Sequence, residues 1–150
     1  MLTGTFTLET ATPPQAVWTY LADLRSHVDW RDDVISCEIE TGQPGADGAV
    51  YRQHVRQGPA TAWRQLRAHI DPAGTVEFIT LGHSPVRARG TTSITDGPDG
   101  GAIVDAAIQL SFRGPGRLLR PVVTRELDRR MTTYPKALKN RLDALGAGGD

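Results

Sequence analysis

Few side chains in this chain are placed to do chemistry. Tyr51, Gln53, Arg64, Asp105, Gln109 and Tyr134 interrupt stretches that otherwise read as buried strand or helix. An enclosed tyrosine hydroxyl either makes a structural hydrogen bond or orients a carbonyl group. Asp105 lies between Val104 and Ala106, an alternation that puts it on the outer face of its strand. A bulge or register shift would turn it inward, where a carboxylate needs a partner and could act as an acid or base. His27, His54, His69 and His83 are never paired as His-x-x-x-His, so no metal is expected. His54 and His69 alternate with charged residues, as exposed positions do. His83 falls in a loop, read as surface, although such a loop can border a pocket mouth. Asp32-Asp33 reads as exposed loop charge rather than an acid/base pair. Cys37, the only cysteine, reads as an inward packing residue, with no basic neighbour in sequence to favour a thiolate. It excludes an internal disulfide and a thiolate cluster. No G-x-S-x-G, P-loop or dinucleotide fingerprint occurs, and no catalytic residue is assigned.

Those side chains must be positioned by one domain. A chain of 150 residues with 39% hydrophobic and 23% charged residues can bury a real core. Its formal net charge of zero argues against a general nucleic-acid or anionic-membrane binder. The N-terminus carries no signal-peptide pattern, and no apolar run approaches the roughly 20 residues of a membrane span. A cytoplasmic protein without stable membrane insertion is the expectation.

Period-two alternation predicts seven strands, over 5–9, 34–41, 49–56, 61–70, 75–82, 86–95 and 102–112. In the second, Ile35, Cys37 and Ile39 alternate together. Between the first two strands, Thr12 as cap, Pro13 at the first helical position and Gln15 predict a helix. Ser26 and Asp29 predict a second, short one ending near Trp30. Short turns between the strands from Val34 onward predict antiparallel neighbours. The C-terminal stretch 116–145 then repeats apolar residues every three or four positions: Leu118, Leu119, Val122, Val123, Leu127, Met131, Tyr134, Leu138, Leu142 and Leu145. This predicts a helix roughly 45 Å long, its stripe buried on the sheet and its arginines and lysines in solvent. Pro121 fits a first turn or a short lead-in. Pro135 should bend or interrupt the helix. Residues 146–150 read as a flexible tail.

This order, with Pro14-Gln15-Ala16-Val17-Trp18, Val28-Asp29-Trp30, Gly48-Ala49-Val50-Tyr51, Asp71-Pro72, Gly90-Thr91-Thr92, the Gly-Gly turn before the last strand and the 114–119 lead-in, resembles the START/Bet v 1-like superfamily. That group is also called SRPBCC, or polyketide cyclase/dehydratase and lipid transport. The resemblance spans about residues 5–145. It implies an α+β helix-grip fold, in which a curved seven-stranded antiparallel sheet wraps the C-terminal helix around an internal cavity. Small inward residues, Ala49, Ala68, Ala88, Gly90 and Ala106, agree with a cavity. The alternative is a core closed by Leu66, Phe78, Phe112, Met131 and Tyr134.

The expectation is a single domain that binds a hydrophobic or aromatic small molecule, with no cofactor. Trp30, Tyr51, Gln53, Arg64, Leu66, Phe78, Met131 and Tyr134 are the expected binding residues. The resemblance also admits a polyketide cyclase/dehydratase-like enzyme, with Tyr51, Gln53, Arg64 and Tyr134 as first candidates. A third reading is an interaction module using the outer sheet face around Trp63, Arg67 and His69. A homodimer is compatible with each.

Overall fold

The computed structural model describes residues 1–148. All seven predicted strands form: β1 (Leu2–Thr10), β2 (Val34–Thr41), β3 (Val50–Gln57), β4 (Ala60–Asp71), β5 (Thr75–Thr80), β6 (Val86–Asp96) and β7 (Ala102–Phe112). They make one curved antiparallel sheet in the order β1-β7-β6-β5-β4-β3-β2. From β2 onward each strand pairs with the next in the chain, and β7 closes back onto β1, opposing Phe6 to Ala106. Gly74, in the β4–β5 turn, has φ +120°, and a Cβ there would lie 2.6 Å from the Ile94 carbonyl oxygen. Only glycine fits that approach.

The β2 alternation is broken by a bulge. Val34 opposes Val55 and Ser36 opposes His54, with a register shift between them. The extra residue puts Val34 and Cys37 inside and leaves Ile35 exposed, against the expected inward Ile35.

Two short helices follow β1, as expected, but their caps differ. In α1 (Pro14–Ala22) the cap position is Pro13, Pro14 takes the first helical position, and no side chain caps. Thr12 is instead buried, its hydroxyl donating to the Leu142 carbonyl. A 3-10 turn (Leu24–Ser26) capped by Asp23 leads into α2 (His27–Trp30), and Ser26 makes no capping bond.

The C-terminal helix α3 (Arg120–Gly148) follows a 3-10 lead-in over Gly114–Leu119 and has Pro121 in its first turn. It runs unbroken through Pro135, which therefore does not interrupt it. It also includes 146–148, expected as tail; Gly149 and Asp150 lie outside the described residues. Val123, Leu127, Tyr134, Leu138 and Leu142 are buried over the sheet. The two ends of the expected stripe are not: Leu118 is 83% exposed, Val122 43% and Leu145 38%. The C-terminal half is fastened to β1, through Thr10 Oγ1 donating to Asp143 (2.6 Å) and Lys139 Nζ donating to the Glu9 carbonyl (2.8 Å).

Candidate functional site

Gln53 and Arg64 face each other across β3 and β4 on the inner side of the sheet. Arg64 donates to Gln53 Oε1 from Nε (3.1 Å) and Nη2 (2.8 Å). That fixes the amide, so Nε2 turns to His27 Nδ1 at 3.0 Å, with Cys37 Sγ at 3.5 Å. Nδ1 must accept, so the imidazole is neutral with its proton on Nε2. Burial, with Arg31 and Arg64 nearby, pushes the His27 pKa well below its ordinary value. Burial also moves the Arg64 guanidinium down to about 10 and the Cys37 thiol up to about 11.

Where α2 ends, Arg31 turns inward and meets Asp33 in a buried two-pronged pair, at 3.2 and 3.3 Å. The rings of Tyr134, Phe78 and Trp30 surround its guanidinium at 5.5, 5.6 and 5.9 Å. Tyr134, from α3, donates to Asp33 Oδ1 at 2.7 Å. Burial alone would raise the Asp33 pKa; Arg31, Arg64 and Arg130 overcome it and hold the carboxylate ionised, well below its usual range. Burial pushes the Tyr134 hydroxyl far upward. Exposed Asp32 takes Arg130 at 3.2 Å and Arg129 at 3.5 Å, tying the α2–β2 loop to α3. Asp33, expected in an exposed loop, is thus a central buried group.

This cluster stands between two small cavities. The first, about 40 Å³, is lined by Gly4, Phe6, His27, Trp30, Phe78 and Gly90, among others. A Cβ on Gly90 would lie 2.2 Å from the Phe78 ring, and one on Gly4 2.9 Å from Met131, so both glycines admit those side chains. The second cavity, about 50 Å³, runs past Val55, Arg64, Val86, Val123 and Leu127. Arg31, Ile108, Met131 and Tyr134 belong to both walls. Each volume holds about three or four waters. Small-molecule pockets are on the order of 300–1,000 Å³, so a larger guest requires the shared wall to move.

Of the expected binding residues, Trp30, Phe78, Met131 and Tyr134 line the first cavity, and Arg64, Met131 and Tyr134 the second. Gln53 stands behind them as the link between Arg64 and His27. Tyr51 and Leu66 are fully buried but line neither cavity. The Tyr51 hydroxyl accepts from the Gly45 amide in the β2–β3 loop instead (3.1 Å). His27, Arg31 and Asp33 escaped the sequence reading. The available signal was Arg31 and Asp33 two residues apart, immediately before an apolar strand. Asp105 is exposed and accepts from Thr7 (2.6 Å), as its alternation requires. On the outer face Trp63 is 48% exposed, with Arg52 4.1 Å above its ring and His54 stacked at 4.5 Å. Among the described residues no cluster of three metal-binding side chains occurs, and no helix is long and apolar enough to cross a membrane.

The buried imidazole sets the acid limb of stability. The unfolded chain takes up the His27 proton near pH 6.5, while the folded chain resists it. Stability is therefore complete above about pH 6.5 and falls as the pH drops below it, by up to about 1.4 kcal/mol per pH unit for one proton. Asp33, whose folded pKa is lowered, adds a further loss once unfolded carboxylates protonate, below about pH 4. Urea unfolding at successive pH values should show the first slope in the native protein. The slope should be absent in His27→Gln; its persistence there would assign it to another group.

A curved antiparallel sheet gripping one long C-terminal helix, with two short helices after the first strand, defines the helix-grip class of proteins. The chain belongs to the family described as polyketide cyclase / dehydrase and lipid transport, whose model matches residues 1–145. Among solved structures it is similar to the Zhui aromatase/cyclase from Streptomyces sp. R1128, at 21% identity over 99% of both chains, TM-score 0.74. A START superfamily protein from Mycobacterium smegmatis aligns at 16% identity over 95% of this chain and 98% of that one, TM-score 0.74. A protein of Thermus thermophilus aligns at 18% identity with the same coverage, TM-score 0.75. At these identities the likeness is one of fold. No curated protein matches the sequence.

Proposed function

We propose that this protein binds a hydrophobic or aromatic small molecule bearing an anionic or strongly polarised oxygen, between the sheet and α3. The observation that carries this reading is charge. Two inward guanidiniums stand near one buried carboxylate: Arg31 is paired with Asp33, whereas Arg64 is held by the neutral Gln53, and His27 is neutral. An uncompensated buried cation is costly, and a ligand oxygen at the junction of the two cavities offsets that cost. A second donor points the same way: Trp30 Nε1 is buried without a hydrogen-bond partner, and Trp30 lines the first cavity.

Calorimetry with 2-naphthoate and neutral 2-naphthalenemethanol tests it. The anion should bind about tenfold tighter or more, a difference of about 1.4 kcal/mol, and Arg64→Gln should remove that preference. Equal affinities, or an unchanged preference in Arg64→Gln, would overturn the reading.

A catalytic version, of the polyketide cyclase/dehydratase kind, is favoured by one further observation. His27 has Nδ1 occupied by Gln53, so the polar group left to it beside the first cavity is Nε2–H. Such a donor polarises a carbonyl oxygen, and a nearby guanidinium stabilises the negative charge that develops on it. The likeness to an aromatase/cyclase supports this version.

A further inference from the structure

Residues 113–125 read Arg-Gly-Pro-Gly-Arg-Leu-Leu-Arg-Pro-Val-Val-Thr-Arg. The segment holds four arginines and no acidic residue in a chain whose net charge is zero, so the remainder carries −4. Arg113, Arg117, Arg120 and Arg125 are exposed, and none is in an ion pair among the described residues. Between them stand the two most exposed apolar side chains of the region, Leu118 at 83% and Val122 at 43%, with exposed Pro115 and Pro121. Charge and apolar surface are therefore interleaved on the 3-10 lead-in and first turns of α3.

The position matters as much as the composition. Val122 Cγ1 lies 3.4 Å from where a Cβ on Gly58 would be, so this patch abuts the β3–β4 turn. The next residue, Val123, and Leu127 one turn on, line the second cavity together with Arg56 and Gln57 of that same hairpin. The exposed patch and the end of the inner cavity are thus built from the same two elements.

We infer that residues 113–125 dock reversibly on an anionic lipid surface, setting the α3 and β3–β4 end of the cavity against it. The arginines meet headgroup phosphates, and Leu118 and Val122 enter the headgroup–acyl boundary. A second copy of the chain is disfavoured, because a two-fold contact would bring four arginines onto four arginines. A folded acidic partner would need a pocket shaped for a protruding leucine, whereas a fluid boundary needs none. The overall neutrality that argues against a general membrane binder is an average over a segregated distribution. The docking does not depend on what the cavity holds.

Flotation with vesicles tests the inference, using phosphatidylcholine alone and an equal mixture with phosphatidylglycerol. The native protein should float with the mixed vesicles, not with the neutral ones, and high salt should release it. Arg117→Glu with Arg120→Glu should weaken binding on the order of tenfold or more. Leu118→Ser, with all charges kept, should weaken it severalfold. All these positions are exposed, so thermal melting should be unchanged. The 2-naphthoate affinity in solution should also be unchanged, which separates this test from that of the ligand site. Equal binding to both vesicle types, or undiminished binding in both variants, would overturn the inference. So would absence of vesicle binding, whether or not the segment captures an acidic protein.

Discussion

Asp33→Ala should destabilise the fold by about 3–5 kcal/mol, the usual cost of removing one partner from a buried ion pair. The substitution leaves buried Arg31 and half-buried Arg64 with no carboxylate beside them and deprives the Tyr134 hydroxyl of its closer acceptor. Urea unfolding monitored by circular dichroism gives the number directly. Combining it with Arg31→Met restores the native balance of one excess cation, and should recover part of the loss. A guest anion should also act as a substitute counter-charge. Where the single variant still folds, 2-naphthoate should raise its melting temperature more than it raises that of the native protein. A loss below about 1 kcal/mol would mean that water reaches the pair and that the interior is not a low-dielectric site.

Leu138→Ala should cost about 2–5 kcal/mol, and Leu118→Ala less than about 0.5 kcal/mol, although both leucines belong to the same apolar repeat. Leu138 is 1% exposed on the buried face of α3, and its truncation leaves a void that the sheet beneath cannot close. Leu118 lies on the lead-in, where there is no sheet beneath it to lose contact with. Chemical denaturation of the two variants side by side distinguishes a stripe buried along its whole length from one buried only in its middle. Comparable losses at both positions would mean that the lead-in is packed.

The contrast between those leucines shows what periodicity can determine. A repeat of three to four residues identifies the face of a helix, but not where that helix runs off its sheet. Leu118, Val122 and Leu145 therefore look like Leu138 in the sequence. Strand parity worked for the same local reason. It placed Asp105 outside and Tyr51 and Gln53 inside, because successive side chains must alternate. It failed at Ile35, where one extra residue reverses the alternation and nothing in the composition announces it. Parity also says nothing about position along the sheet, which is why Tyr51 faces inward yet serves the β2–β3 loop rather than a cavity. The charged centre was hidden for a different reason. Asp33 is recognisable only once Tyr134, 101 residues away in sequence, and the inward turn of Arg31 surround it. A carboxylate in a loop of unknown burial looks like solvated charge until those partners are in place.

Pro135 gives α3 an uneven stiffness. Without an amide hydrogen at this residue the helix lacks the backbone bond to the Met131 carbonyl, one turn earlier, beside the wall that divides the cavities. On the C-terminal side, Leu138, Leu142, Lys139 and Asp143 clamp the helix to the core and to β1. On the N-terminal side the polar ties all run to the α2–β2 loop, from Arg129 and Arg130 to Asp32 and from Tyr134 to the buried Asp33. Such a rod behaves as a cantilever: one end is built into the sheet, the other is tied to a loop, and compliance is concentrated at the missing rung. A small angular deflection there becomes a larger displacement at Val123 and Leu127. The second cavity, which both residues line, can thus grow while the sheet and the anchored half of the helix stay in place.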